Sequence, residues 1–286
     1  MSTHINLQRG DNDSLKRFGG KSFQKARVYN VAKLQSDLTS VGAFQFKADG
    51  VFGPQTEKSL KIFQWACANI PATVKNGVRI SRLKTASLSV NGKLDKVTKD
   101  ELMRWVASQQ IVIGDLIRVA FSSLTAIEAG SGFKKIGAGN VMKDELVISN
   151  AASTLIKELN KEAVAKKVII KINQAFRVSG VKVTGAVVSP ATKSQHLIGH
   201  AIDCNIVDGA SWNNSTNFKN KKETANAKSI IKSLKASGYR WGGDFTNVDT
   251  PHFDKQLSSS HFAYEAKFYL NQRMIADQQP IPKVTV

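Results

Sequence analysis

The chain has 286 residues, enough for two domains of ordinary size or one large one. Its 42% apolar and 22% charged content is globular and excludes a disordered or collagen-like chain, while two distant cysteines, Cys67 and Cys204, exclude a disulfide framework or a cysteine-rich metal cluster. Forty-one basic against 22 acidic residues leave +19, which points to an anionic partner: nucleic acid, a membrane surface or a charged polymer.

Both ends of the chain share that charge, with 18 basic and 8 acidic residues in 1–110 and 20 against 12 in 141–286. The amino terminus lacks a basic stretch followed by an apolar run, so no secretory signal is expected. Residues 1–27, polar and without apolar period, read as a loose lead-in. Val31, Leu34, Leu38 and Val41 then recur at helical spacing, and Gly42 ends the run. A turn at Asp49-Gly50 and a helix starting at Pro54 follow, with Leu60 and Phe63 on its core face. Forty-two residues on, Asn91-Gly92, Thr98, Leu102 and Trp105 repeat the pattern of Asp49-Gly50, Thr56, Leu60 and Phe63, as a duplicated loop–helix unit would. Thr98 with Glu101 suits a capping box, and Pro71 to Val90 reads as an inserted loop. Ile111 to Ala129 is the most apolar stretch, but Asp115, Arg118 and Glu128 within it favour a core-facing helix at the domain junction over a membrane span.

The run Leu34-Gln35…Leu38…Gly42…Asp49-Gly50-x-Phe52-Gly53-x-x-Thr56…Leu60…Phe63-Gln64 resembles the small helical peptidoglycan-binding domain found at the ends of many cell-wall hydrolases. The resemblance covers roughly residues 29–68. It implies a fold more than a binding surface, because most of the matching residues are turn and core positions.

Four of the five histidines lie in the last third of the chain. In Ser194-Gln-His196-Leu-Ile-Gly199-His200-Ala-Ile-Asp203 an imidazole and a carboxylate stand seven apart, and residues 201–207 read as a buried strand. A carboxylate there is costly unless it is paired or bound to a cation. The segment Trp241-Gly-Gly-Asp244-Phe-Thr-Asn-Val-Asp249-Thr-Pro-His252-Phe-Asp254 adds a second imidazole with a carboxylate three residues before it. Two imidazoles and a carboxylate make a common catalytic zinc set, and a further carboxylate off the metal can move the proton, a role that fits Asp249.

Ser-x-His-x-x-Gly-x-Ala-x-Asp followed by Asp-x-x-His resembles the VanY-type zinc peptidases, which comprise D-alanyl-D-alanine carboxypeptidases and L-alanyl-D-glutamate endopeptidases. The resemblance spans roughly residues 150–270. It implies zinc ligands at His196, Asp203 and His252 and a general base at Asp249. It also implies that Arg177, in Ile172-Asn-Gln-Ala-Phe-Arg177, holds a substrate carboxylate or the oxyanion. Ser194-Gln-His-Leu is nearer the carboxypeptidase wording and Asp-x-Pro-His-Phe nearer the endopeptidase wording; Gln174-Ala175 and a long loop between Gly185 and Ser194 depart from both.

Among the remaining candidates, Ser194 is expected beside the ligands as a supporting residue. His200 is expected to be exposed or to line the cleft, since Gly199 argues against a helical H-x-x-x-H site. His4 and His261 are expected on the surface, Trp241 in the core or cleft wall, and Cys204 as an inert core thiol on the strand face opposite Asp203.

The expected architecture is two domains: a small all-α peptidoglycan-binding-like domain over 28–110, then an α+β zinc peptidase domain over 111–286 with a small antiparallel sheet. The expected activity is zinc-dependent hydrolysis of stem-peptide amide bonds in bacterial peptidoglycan by a monomer that does not span a membrane. The whole resembles a bacteriophage endolysin, made in the host cytoplasm and acting on the wall after release, with the L-alanyl-D-glutamate bond favoured. The alternative is a virion-associated wall-binding protein whose zinc site is not catalytic. Nucleic acid is not an expected partner, because no basic–aromatic RNA motif, zinc finger or recognition helix accompanies the charge.

Overall fold

Helical spacing of Val31, Leu34 and Leu38 produces α1 (Val31–Ser40), whose first turn is satisfied twice. Asn30 caps it by accepting from the Lys33 amide at 2.8 Å, and Asp13 accepts from Val31 N and Ala32 N at 2.7 and 2.9 Å. In this computed structural model, which describes residues 6–14, 16–18, 21–22, 29–81, 88–133, 144–181 and 191–286, two compact units appear, Met1–Gly114 and Asp115–Val286.

In the first unit, a short hairpin of β1 (Lys16–Phe18) and β2 (Lys21–Ser22) precedes α1. The other two helices are α2 (Pro54–Asn69) and α3 (Lys96–Ala107). Phe52, Leu60, Phe63, Leu94, Leu102 and Trp105 form a buried core, with Phe63 and Trp105 edge to face at 5.6 Å between ring centres. The stretch read as an inserted loop contains strands β3 (Ala72–Lys75) and β4 (Val78–Ser81), joined through Asn76-Gly77. Both of those turn residues have positive φ, the conformation that matches a tight turn to strand twist. Strand β5 (Gln110–Ile111) adds to β3, so the helical unit carries a small three-stranded sheet. Val112 N donates to Val41 O, and the first unit thus runs four residues past the expected boundary at 110/111.

Two further expectations for this unit are corrected. Residues 7–13 are not a loose lead-in: Leu7 is fully buried, exchanges backbone hydrogen bonds with Leu94, and the segment pairs onward with Phe52 and Gly50. The capping box is also absent, because Asp95 caps α3 by accepting from Thr98 N. Glu101 instead binds Arg104 and the Trp105 indole N–H.

The repeat has a side-chain basis. Gln35 Oε1 accepts from Asp49 N and Gly50 N, and its Nε2 donates to Asp49 Oδ1, Val51 O and Thr56 Oγ1. Gln64 makes the same five contacts with Asn91 N, Gly92 N, Asn91 Oδ1, Lys93 O and Thr98 Oγ1. A buried glutamine thus ties each turn to the helix that follows it, and α2 serves both ties.

Ile111 to Ala129, which runs from the end of the first unit into the second, is not an α-helix. It comprises the end of β5, then β6 (Leu116–Ala120) and β7 (Ile127–Ala129). The run is rich in β-branched residues, and strand pairing outweighed its helical spacing. Strand β6 pairs with β8 (Glu145–Ser149), and α4 (Ser153–Lys166) leads into β9 (Ile169–Gln174). There follow β10 (Ala201–Asp208), β11 (Ser211–Asn213), α5 (Ser215–Lys219) and α6 (Ala225–Ala236). Then come β12 (Arg240–Trp241), β13 (His252–Asp254) and α7 (Phe262–Ala276). The main sheet runs β12-β13-β10-β9-β7 with β11 on β10; every pairing is antiparallel except β7 with β9. Ile170, Ile172, Ile202, Cys204 and Phe253 pack with Leu155, Leu159, Ile230 and Leu234 from α4 and α6. Cys204 is therefore the buried core thiol expected, its pKa pushed up by burial and by Asp203. Among the described residues no helix is long and apolar enough to cross a membrane.

Candidate metal centre

Sheet register assembles the site. Asp203 on β10 lies directly opposite His252 on β13, so the two side chains leave the same face as neighbours. The third residue, His196, comes from the 3-10 turn Gln195–Ile198 just before β10. That turn starts at Ser194, whose hydroxyl accepts from His196 N at 3.3 Å, and ends at Gly199 with φ +74°. A Cβ at Gly199 would stand 2.7 Å from the Ser149 nitrogen, so the close approach of the turn to β8 also demands glycine. Ser194 thus supports the ligand turn through its backbone.

The structure brings the three candidate ligands together. His196 Nε2 and His252 Nδ1 are 3.2 Å apart, and each is 3.1 Å from Asp203 Oδ1. Ligands on a tetrahedral zinc with bonds of 2.0–2.1 Å are spaced by about 3.3 Å, so the three atoms stand at coordination spacing. Their tautomers agree. His196 Nδ1 faces Ala175 O at 2.7 Å and His252 Nε2 faces Asp254 Oδ2 at 2.9 Å, acceptors that place an N–H on the outer nitrogen of each ring, so that the inner nitrogen of each neutral imidazole is the one available to a cation. Among the described residues this is the one histidine–carboxylate group that satisfies metal-site spacing.

The electrostatics of the metal-free protein fit the same reading. Burial alone would raise the Asp203 pKa, but His196 and His252 hold it well below the carboxylate range. Burial opposes charge on His252, yet hydrogen bonds to Asp203 and Asp254 raise it to about 9. Three inward-facing donors held this closely need a positive charge among them, either a proton or a cation.

Asp254 is fully buried and the sequence reading gave it no role. It forms a bidentate pair with Arg240, Nε at 2.9 Å and Nη2 at 2.6 Å, and Arg240 lies over the Phe245 ring at 4.9 Å. Phe245 in turn sits 5.6 Å from the His252 ring, closing a circuit around one ligand. The available signal was its position: two residues after His252 on a strand, Asp254 shares its face.

Asp249 is half-buried beside the ligands. Burial and the Asp203 charge push its pKa above the usual range, against the pull of His252 and His196. Its backbone fixes the loop, with N donating to Gly242 O at 2.8 Å and O accepting from His252 N at 3.0 Å. Gly242 is required there, since a Cβ would fall 2.0 Å from the Asp249 carbonyl oxygen.

Arg177 is buried next to the same centre. A register shift in the β9–β10 pairing places Gln174 opposite Asp203, and Gln174 Oε1 accepts from Arg177 Nη1 at 3.2 Å. Among the described residues no carboxylate lies within ion-pair distance of this guanidinium. Burial lowers its pKa, while Asp203 supports its charge.

His200 is corrected. Of the two expectations, exposed or lining the cleft, the first is overturned: His200 is buried, with Nδ1 at 2.9 Å from Lys255 O, and burial followed by the Lys267 charge lowers its pKa to about 4. His261 is exposed, as expected. Trp241 is half-buried against Phe218, and its indole N–H donates to Thr250 O. His4 and residues 182–190, in the long loop before Ser194, lie outside the described residues.

Residues 188–255, which hold all three candidate ligands and Asp249, match the family model described as D-alanyl-D-alanine carboxypeptidase. Residues 27–73 match the model of a putative peptidoglycan binding domain. This is the architecture of a peptidase that acts on peptidoglycan. No curated protein matches the chain. The peptidase match contains the ligand turn and β13 but ends before α7, and it begins after Arg177.

Proposed function

We propose that this chain is a zinc-dependent endopeptidase that hydrolyses the L-alanyl-D-glutamate bond of the peptidoglycan stem peptide and serves as a phage endolysin. The observation that carries the zinc reading is the convergence of His196 Nε2, Asp203 Oδ1 and His252 Nδ1 at 3.1–3.2 Å with both imidazoles oriented from behind. His196, Asp203 and His252 would hold the ion. When bound, zinc supplies an acidified water and a positive charge for the scissile carbonyl.

The remaining steps belong to the protein. Asp249 takes a proton from the attacking water and returns it to the leaving amine as the C–N bond breaks; a raised pKa suits both tasks. Arg177, a guanidinium with one side-chain hydrogen bond and no acidic partner among the described residues, holds a substrate carboxylate or the developing oxyanion. The Asp249-x-Pro-His-Phe wording supports the endopeptidase over the carboxypeptidase outcome. The first unit holds the enzyme on the wall.

Two measurements test this. Asp249→Asn is expected to keep stoichiometric zinc and lose at least a hundredfold in hydrolysis of purified peptidoglycan. Mass spectrometry of the digest is expected to show new amino-terminal D-glutamate. Free D-alanine would reassign the bond, and full activity of Asp249→Asn would remove the base.

A further inference from the structure

Helix α7 lies outside both family matches, yet its polar side chains reach into the backbone that carries the site. Tyr264, Asn271 and Gln272 lie seven and eight residues apart, about two helical turns, and all three face one side. Tyr264 OH donates to Ser194 O at 2.9 Å, at the start of the ligand turn. Asn271 Nδ2 donates to Ile198 O at 3.0 Å, at its end. Between them, Gln272 Nε2 donates to Leu197 O at 2.7 Å and to Arg177 O at 2.9 Å, while its Oε1 accepts from Ser179 N at 2.8 Å.

One amide therefore ties two segments far apart in sequence: the turn that presents His196 and the segment that presents Arg177. Those segments also touch directly at His196, where Arg177 N donates to His196 O at 3.0 Å and His196 Nδ1 lies 2.7 Å from Ala175 O. Gln272, which grips the carbonyls of Arg177 and Leu197 together, adds a tie beyond His196 and holds the onward course of both segments. Asn271 is less suited to a test, because it is fully buried and also binds Asp115 through N and Oδ1. Gln272 is half-buried and its three contacts are all to the site segments.

We infer that Gln272 is a positioning residue that sets the distance between the metal centre and the Arg177 guanidinium. The inference rests on the zinc and Arg177 roles proposed above. An error of 1 Å in such a pair is enough to cost a hundredfold in rate, since the hydrolytic water and the group that steadies the carbonyl must meet the same substrate atom.

The test uses the full chain carrying Gln272→Met, which keeps the side-chain length and removes every hydrogen bond. Three properties are read: affinity for zinc alone by competition with a chromogenic chelator, the visible absorption of the cobalt(II)-loaded protein, and kcat and KM on purified peptidoglycan. The expected result is a cobalt spectrum altered in shape, zinc affinity lower by three- to tenfold, and kcat lower by ten- to a hundredfold. Arg273→Ala, on the neighbouring residue that pairs with Asp277, is expected to leave all three unchanged. Gln272→Glu keeps the acceptor for Ser179 and loses both donors, so it is expected to follow Gln272→Met even if the latter lowers the melting midpoint. Wild-type spectrum, zinc affinity and kcat in both Gln272 variants would overturn the inference while leaving the zinc peptidase reading intact. Failure of the unmodified protein to bind zinc, or binding unaffected by His196→Ala, would overturn that parent reading and this inference with it.

Discussion

Asp254 meets the second unit's electrostatics at its tightest point: a fully enclosed carboxylate shared between a candidate ligand and an arginine. Its charge keeps the His252 N–H turned outward and makes the opposite nitrogen a better donor. Asp254→Asn is therefore expected to weaken zinc binding by about ten- to a hundredfold, measured by chelator competition. His200 makes an opposite, purely structural prediction. Its pKa is about 4 against an ordinary 6.5, so the folded protein resists its protonation while the unfolded chain accepts it. The stability this residue contributes is complete above pH 6.5, falls as pH drops from 6.5 toward 4, and totals about 3 kcal/mol by linkage. In metal-free protein, His200→Asn is expected to lose that share of the pH dependence, seen as a flatter plot of urea midpoint against pH.

At the scale of elements, the two glutamine ties in the first unit show how a short motif specifies a fold. Each accepts from two turn amides and donates to a turn carbonyl and a threonine hydroxyl. Gln35→Leu is expected to cost about 2–4 kcal/mol and to speed amide exchange at Asp49 and Gly50 more than at Gly92, which hydrogen–deuterium exchange resolves. The loop–helix repeat was legible because its turn, hydroxyl and core positions recur in register. Gln35 and Gln64 stood within the quoted motif, but their role needed the spatial return of the chain. The clustering of His196, Asp203 and His252 was legible for a physical reason too: Asp203 is an acid in an apolar strand, which demands a counter-charge. The stretch 111–129 was misread because Ile, Val and Leu at those spacings suit either element, and its partner β8 lies some thirty residues on. The polar face of α7 was not legible at all. Tyr264, Asn271 and Gln272 bind loops 70 or more residues away, and no local pattern marks such contacts.

For the molecule as a whole, both units are basic, so electrostatic attraction to an anionic wall is expected from both rather than from the first unit alone. Retention on purified peptidoglycan is expected to fall steeply between about 50 and 500 mM salt, where the screening length contracts from roughly 14 to 4 Å, as measured by pull-down. Salt-independent retention would count against that electrostatic share. The strand-like segment ahead of α1 carries a practical corollary. Leu7 plugs the socket at Leu94, and Asp13 holds the first amides of the helix. A shortened fragment beginning at Tyr29 would carry an open greasy hole, a frayed helix start and two unzipped loop edges. Such a fragment is a poor probe of wall recognition, because its own clumping would masquerade as adhesion.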